Sequence, residues 1–288
     1  MLTQGWPATP EALPSPVVDN HCHLDHPAYA KGVESGLLIP VDEALDRAAA
    51  VGVTRTVQVG CDLASSRWAV QTAAAYDSVV AAVALHPNET PGLDERGELD
   101  DALAEIDALA RSPYVRAVGE TGLDYFRTGE DGRKAQHESF RAHVQMAKRH
   151  DRTLVIHDRD AHDDILAVLD DEGVPDRVVM HCFSGDAVFA RECLDRGAYL
   201  SFAGTVTFKN AENLREALRV TPIDRILVET DAPFLTPVPH RGQPNASFLI
   251  PLTVRFMSGI AGKTVDEMCR AIDANTDRAF GGAWPQRI

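Results

Sequence analysis

Eight short apolar runs rich in β-branched residues recur along the chain, and most are followed by a stretch with helical spacing. This alternation limits the fold more than any other feature. The runs lie at 17–21, 54–59, 79–85, 115–119, 153–157, 177–181, 198–202 and 225–230. Most are continuously apolar, the pattern of strands covered on both faces, as in parallel sheets. Helix-period segments fall near 41–50, 63–75, 98–112, 133–150, 160–172, 184–195 and 209–219, then near 248–261 and 264–279. Thr264 followed by Glu267 is a capping-box pattern that opens the last one. Strands alternating with helices form right-handed βαβ units around a parallel sheet. Eight such units predict an α/β fold closed as a (β/α)8 TIM barrel. An open doubly wound sheet is the alternative, but no Gly-x-Gly-x-x-Gly follows the first run.

The 288 residues suit one barrel of about 250. A single domain over 17–288 is expected, preceded by a loose arm over 1–16 that carries Pro7, Pro10, Pro14 and Pro16. The arm has neither a basic start nor an apolar core, so it does not read as a secretory signal. No run of 18 apolar residues predicts a membrane span. The five cysteines (Cys22, Cys61, Cys182, Cys193 and Cys269) include no Cys-x-x-Cys pair and suggest reduced thiols in the cytoplasm. Formal charge is −15. That disfavours broad, non-specific binding to duplex phosphates, yet leaves room for a phosphate gripped locally beside bound cations. A cytoplasmic monomer with no obligate protein partner is expected.

Connections from helix to strand are short, whereas those from strand to helix (24–40, 86–97, 120–132, 231–247) are longer and richer in Gly, Pro and charge. In barrels the long loops build the active site. The strand ends carry metal-ligand residue types. The first gives His21 and His23, which alternation turns to one face, the second Cys61-Asp62, and the third His86. The fourth gives Glu120, the fifth His157, the sixth His181 and the eighth Glu229-Thr230-Asp231. Barrel closure would gather His21, His23, Glu120, His157, His181 and Asp231 on one rim. Four imidazoles and two carboxylates suit Zn²⁺, Mn²⁺, Co²⁺ or Fe²⁺, and Mg²⁺ with waters. One open catalytic ion usually keeps three protein ligands, so six point to two ions bridged by Glu120. Any one of these residues alone would read as a hydrogen-bonded core or surface residue. His137, His143, His150 and His162 lie in or beside charged helical segments and read as solvated. Cys22 and Cys182 read as small core residues.

The residues 19–25 (Asp-Asn-His-Cys-His-Leu-Asp), Leu85-His86-Pro87 and 119–125 (Gly-Glu-Thr-Gly-Leu-Asp-Tyr) form an ordered motif set with those at 156–161, 180–185, 207–210 and 228–235. Arg241-Gly242 and Asn245 continue it. From Val17 to Gly281 the chain resembles the TatD family of metal-dependent deoxyribonucleases, within the amidohydrolase-like barrels. The resemblance implies a TIM barrel, two divalent ions (Mg²⁺, Mn²⁺ or Zn²⁺) and phosphodiester hydrolysis on DNA, as a 3′-to-5′ exonuclease preferring single strands. By motif, His21, His23 and Asp231 would hold one ion and His157 and His181 the other, with Glu120 shared. Glu120, and not a Lys, on strand four argues against the phosphotriesterase-like branch. Three departures stand out: Asn88 where a second His is expected, Ala246-Ser247 in place of Glu-Pro, and the extra arm. The first two leave open a hydrolase of another ester, such as an aminoacyl ester on tRNA or a small phosphoester. A metal-binding scaffold without catalysis ranks last, because no ligand is missing.

Roles follow as expectations. Asp231 accepts the proton of the attacking water or orients it. Arg159 supplies a cation for the phosphoryl oxygens, with a surface Arg as the alternative. His86 contacts substrate or protonates the leaving oxygen, or else caps its loop before Pro87. Asp124 and Glu229 hold ligand imidazoles in one tautomer. Lys209 and Arg241 line the mouth, and Tyr125 offers a stacking surface. Phe183, Phe202 and Phe208 rank as core packing.

Overall fold

The computed structural model describes residues 6–25, 39–282 and 284. Its single sheet has eight parallel strands in sequential order. They are β1 (Val17–Cys22), β2 (Val53–Gly60), β3 (Val79–Val83), β4 (Val115–Asp124), β5 (Thr153–Arg159), β6 (Val178–Met180), β7 (Tyr199–Phe202) and β8 (Ile226–Val228). The helices between them are α1 (Val41–Ala50), α2 (Leu63–Ala75), α3 (Thr90–Glu95), α4 (Leu99–Leu109), α5 (Glu130–His150), α6 (His162–Glu172), α7 (Ala187–Asp195) and α8 (Glu212–Val220). Two more, α9 (Ile250–Ala261) and α10 (Val265–Ala279), follow β8. The predicted barrel is therefore present. Thr264 and Glu267 make the reciprocal hydrogen bonds of a capping box at the start of α10. The short α3 was not anticipated, because Pro91-Gly92 reads as a turn. Most of the 24–40 connection lies outside the described residues.

Two layers of apolar side chains hold the barrel. Val18, Val57, Val59, Val80, Ala82, Ala117, Val155, Val179, Tyr199 and Leu227 fill its interior, floored by Phe280 and Trp284. The alternate residues, among them Val17, Val79, Ala81, Val118, Leu154, Ile156 and Met180, pack outward with the helices. Each strand thus buries both faces, which is why the runs read as continuously apolar.

The seam between β8 and β1 closes by scattered bonds. Cys22 bridges to Ala232. His23 N–H donates to Ala232 O at 2.8 Å and Asp231 N–H to His21 O at 2.9 Å. Side chains complete it: Asn20 Nδ2 donates to Val228 O at 3.0 Å, and Asp19 Oδ1 accepts from Thr230 N–H at 2.9 Å.

Two expectations need correction. The N-terminal arm is not loose where it is described: Trp6 and Leu13 are buried. Leu13 N–H donates to Val51 O at 2.9 Å, and the Trp6 ring lies 6.2 Å from that of Phe248. His143 is not solvated but wholly buried on α5, its apolar neighbours outweighing the charged sequence around it. Nε2 accepts from Leu85 N–H at 3.1 Å and Nδ1 donates to Ser139 O at 2.7 Å, so it staples α5 to the end of β3. His150 is mostly covered and pairs with Asp107, whereas His137 and His162 are partly exposed.

Burial lowers the His143 pKa to about 4. The unfolded chain binds this proton near pH 6.5 and the folded chain resists it, so the contribution to stability is complete above pH 6.5 and falls away toward pH 4. Its full size is roughly 3 kcal/mol. We expect His143→Gln to flatten the fall of unfolding free energy between pH 7 and 4.5 relative to wild type, as read by urea denaturation. Parallel pH profiles would contradict this.

Candidate metal centre

Irregularities in two strands aim the site. From Asp19↔Thr56 a regular ladder would pair Cys22 with Val59, yet Cys22 pairs with Gln58, so β1 holds one extra residue. Below it Val18 faces the interior; above it His21 and His23 do, and Cys22 turns outward. β4 repeats the device. Val118 pairs with Leu154, but Thr121 pairs with Ile156 and not His157. Ala117 therefore points inward and Glu120 does too. Glycine makes this possible: a Cβ on Gly119 would lie 2.4 Å from Val155 O, and one on Gly122 2.0 Å from His157 O. On β5 and β6 simple alternation carries His157 and His181 inward above Val155 and Val179.

All six residues expected at the rim come together, and they meet at Glu120. Its Oε2 lies 3.3 Å from His21 Nε2 and 3.9 Å from His23 Nε2. Its Oε1 lies 2.6 Å from His157 Nδ1, 3.2 Å from His181 Nε2 and 3.4 Å from His86 Nε2. Asp231 Oδ1 stands 3.4 Å from His23 Nε2 and 3.9 Å from His21 Nε2, which are themselves 3.2 Å apart. One carboxylate thus faces two groups of imidazoles with its two oxygens. His21, His23 and Asp231 form one cluster of metal-ligand geometry, and His86, Glu120 and His157 another.

An outer ring fixes these rings. His23 Nδ1 donates to Val59 O at 3.0 Å, which leaves Nε2 toward the centre. His157 Nε2 lies 3.3 Å from Asp124 Oδ2, and Glu229 Oε1 lies 2.8 Å from His181 Nδ1. Asp124 and Glu229 therefore stand beside the imidazoles of His157 and His181. Asn88 joins this ring: its Nδ2 donates to Asp124 Oδ2 at 3.1 Å and its N–H to His86 Nδ1 at 3.1 Å. Ser247 donates to Asp19 Oδ2 at 2.6 Å. Asn88 and Ser247 thus both bond to residues that surround the cluster.

Each charge in the cluster depends on its neighbours. Burial opposes charge on Glu120, but His181, His86 and His157 hold its carboxyl well below the usual range. Burial likewise opposes charge on His157, but Asp124 and Glu120 raise its pKa to about 9. His181 is also raised well above its ordinary value, by Glu229 and Glu120 against burial. Protons on imidazoles thus balance the carboxylates, and divalent cations, which suit this donor set, must displace them.

Other expected residues are placed unevenly. Arg159, at the end of β5, stacks its guanidinium 3.9 Å from the centre of the Phe126 ring, and Phe126 is exposed. Lys209 and Arg241 are exposed, with Arg241 over the half-buried Phe208. Phe183 and Phe202 are buried as expected. Arg133 covers one face of the Tyr125 ring at 4.0 Å, and the Tyr125 hydroxyl donates to Asp164 at 2.5 Å. Two residues named along the chain were given no role in the site. Cys61 Sγ approaches Glu120 Oε2 to 3.7 Å and His23 Nδ1 to 3.9 Å; its position at the end of strand two was the available signal. Asp19, buried, accepts from Thr230 Oγ1 at 2.6 Å as well as Ser247 and ties the two ends of the site together. It stands inside the first motif.

The model of the family described as TatD related DNase matches residues 18–281. The chain belongs to the TatD family. An uncharacterized metal-dependent hydrolase TatD from Mycobacterium tuberculosis is 43% identical over 93% of this chain and 99% of its own length. The uncharacterized metal-dependent hydrolase YcfH of Escherichia coli K12 is 38% identical over 92% of this chain and 95% of its own. The crystal structure of the Escherichia coli TatD homolog YjjV superposes with a TM-score of 0.82 at 28% identity, covering 93% of this chain and 98% of that one. The chain is a metal-dependent hydrolase of this family.

Glu229 is the lever on His181 in the metal-free protein. Glu229→Gln is expected to move the His181 imidazole titration to lower pH, because it removes the charge that raises it. Imidazole nitrogen NMR of the apo protein reads the shift, and an unmoved titration would show that Glu120 alone sets it.

Proposed function

We propose that the chain is a two-metal phosphodiesterase that removes nucleotides from the 3′ end of single-stranded DNA, acting as a cytoplasmic monomer. The observation that carries this reading is the division of Glu120: one oxygen faces His21 and His23, the other His157, His181 and His86. In this reading His21, His23 and Asp231 hold one divalent ion, His157 and His181 hold the second, and Glu120 is shared. Mg²⁺, Mn²⁺ or Zn²⁺ fits the donors. Such ions supply a hydroxide nucleophile at neutral pH and charge stabilisation at the phosphoryl oxygens.

The side chains account for the rest. Asp231 takes the water's proton or orients it, from a place at the rim 3.4 Å from His23. Arg159, held over Phe126, meets the phosphoryl oxygens with a fork that matches them. His86 is oriented by the Asn88 N–H on Nδ1, which leaves Nε2 to face Glu120 and the leaving oxygen. Asp124 and Glu229 keep His157 and His181 aimed. DNA as substrate is supported by the family's description; the exposed Phe126 supports stacking on an unpaired base. Cleavage of an aminoacyl or small phosphate ester is the second reading, favoured by Asn88 and Ser247 in the ring around the site.

Asp231→Asn is expected to lower hydrolysis of a 3′-labelled single-stranded oligonucleotide on the order of 10³-fold while metal and DNA binding persist. Undiminished hydrolysis would remove Asp231 from the chemistry. Metal-saturated wild type should carry two ions per chain by elemental analysis, and Glu120→Gln fewer. A full complement in that variant would show that Glu120 does not bridge.

A further inference from the structure

The thiol of Cys61 stands at the rim and has no part in the proposed reaction. β2 pairs with β3 in unbroken register, so alternation turns Val57, Val59 and Cys61 to the same side, and all three meet the inner layer of the barrel. Cys61 is the uppermost of them. Its backbone is held at both ends: Cys61 N–H donates to Ser65 Oγ at 2.9 Å, and Cys61 O accepts from His86 N–H at 2.7 Å. Ser65 is fixed in turn by the capping box that Asp62 forms at the start of α2. The fold therefore sets the direction of the sulfur before any ion binds.

That direction leads to metal-ligand atoms. Sγ lies 3.7 Å from Glu120 Oε2 and 3.9 Å from His23 Nδ1. The donor atoms of His23, Cys61 and Glu120 all lie within 4.8 Å of one another. His23 Nδ1 is spent on Val59 O at 3.0 Å, so an ion shared with Cys61 is met by Nε2, the nitrogen that also faces His21 and Asp231. Glu120 Oε2 is likewise the oxygen turned toward His21 and His23. The sulfur thus belongs with His21, His23 and Asp231, and not with the imidazoles that face Oε1. Ligand atoms on one Zn²⁺ ion stand roughly 3 to 3.6 Å apart, given bonds of about 2.0 to 2.3 Å. The gaps of 3.3 Å from His21 Nε2 to Glu120 Oε2, 3.4 Å from His23 Nε2 to Asp231 Oδ1 and 3.7 Å from Cys61 Sγ to Glu120 Oε2 match that spacing closely.

We propose that Cys61 is a further ligand to the ion held by His21, His23 and Asp231, and that it biases this position toward Zn²⁺ or Co²⁺ over Mg²⁺ and Mn²⁺. The inference rests on the metal assignment proposed above and adds a residue to it. The imidazoles and carboxylates of the cluster accept all four ions, whereas a thiolate is a soft donor that binds Zn²⁺ firmly and Mg²⁺ hardly at all. With Zn²⁺ or Co²⁺ the S–H bond breaks as the sulfur–metal bond forms, and the proton passes to solvent. With Mg²⁺ no such bond forms and the thiol keeps its proton. With Cys61 added to His21, His23, Asp231 and Glu120, the ion has five protein ligands, a number Zn²⁺ accepts.

The test saturates full-length wild type, Cys61→Ser and Cys61→Ala with Co²⁺, counts the ions per chain by elemental analysis and records the absorption spectrum. Wild type should show a sulfur-to-cobalt charge-transfer band in the near ultraviolet. Both variants should lack it at the same ion count and with unchanged circular dichroism, keeping only the visible bands of nitrogen and oxygen ligands. Competition titrations should show Zn²⁺ binding weakened on the order of tenfold in Cys61→Ser, with Mn²⁺ affinity unmoved. A wild type that binds two Co²⁺ ions without the band would overturn the role of Cys61 and leave the two-metal reading standing; this outcome needs neither variant to fold. A band that survives in both variants would also overturn it, because the sulfur would then be another cysteine's. So would equal losses of Zn²⁺ and Mn²⁺ affinity, the mark of a merely structural residue. A wild type that binds no Co²⁺ would overturn the ligand and the metal centre together.

Discussion

A single buried carboxylate organises this molecule. Glu120 is almost wholly buried and lies within 4 Å of five imidazoles contributed by four different strands or the segments that follow them. A carboxylate in such a place is costly unless positive charge surrounds it. The cost ties the geometry of the whole rim to one residue of β4. Its neighbours must present protons or, in the working enzyme, metal ions. The glycines on either side, the extra residue in β4 and the close approach of β5 all serve to bring this side chain inward.

The closure of the barrel depends on the same economy of polar groups. Where β8 meets β1 no regular ladder forms among the described residues, and Asp19, Asn20 and Thr230 stand in for missing backbone partners. Asp19 is pushed to a pKa of about 6 by burial, against four hydrogen bonds that favour its charged form. His21 and Asp231, members of the cluster, are the immediate chain neighbours of these groups. Seam and site are therefore one construction, and Ser247 secures it from the loop that follows β8.

The fold was legible because its signal repeats. Eight apolar runs carry the same meaning, and errors of a residue or two at their ends do not alter the topology. The clustering of these side chains was legible because the rule that places His157 at one strand end also places His181 at the next. What escaped was local. An extra residue in β1 or β4 is a property of pairing between strands, and the sequence of one strand does not reveal it. His143 lies among charged neighbours on a long helix, and only the register of α5 against β3 shows that its face is turned inward. Tyr125 is engaged by Arg133 of α5 over one face and by Asp164 of α6 at its hydroxyl, contacts that its own stretch of chain does not announce.

The floor has a consequence for traffic through the molecule. Phe280 and Trp284 plug the barrel beneath the inner valines, and the interior is filled with side chains from there to the rim. The metal centre is thus the bottom of a blind well. A polymer cannot be threaded through it and released from the far side. On the phosphodiesterase reading proposed above, a DNA end would have to enter and leave by this one mouth, and a released nucleotide would share the same exit.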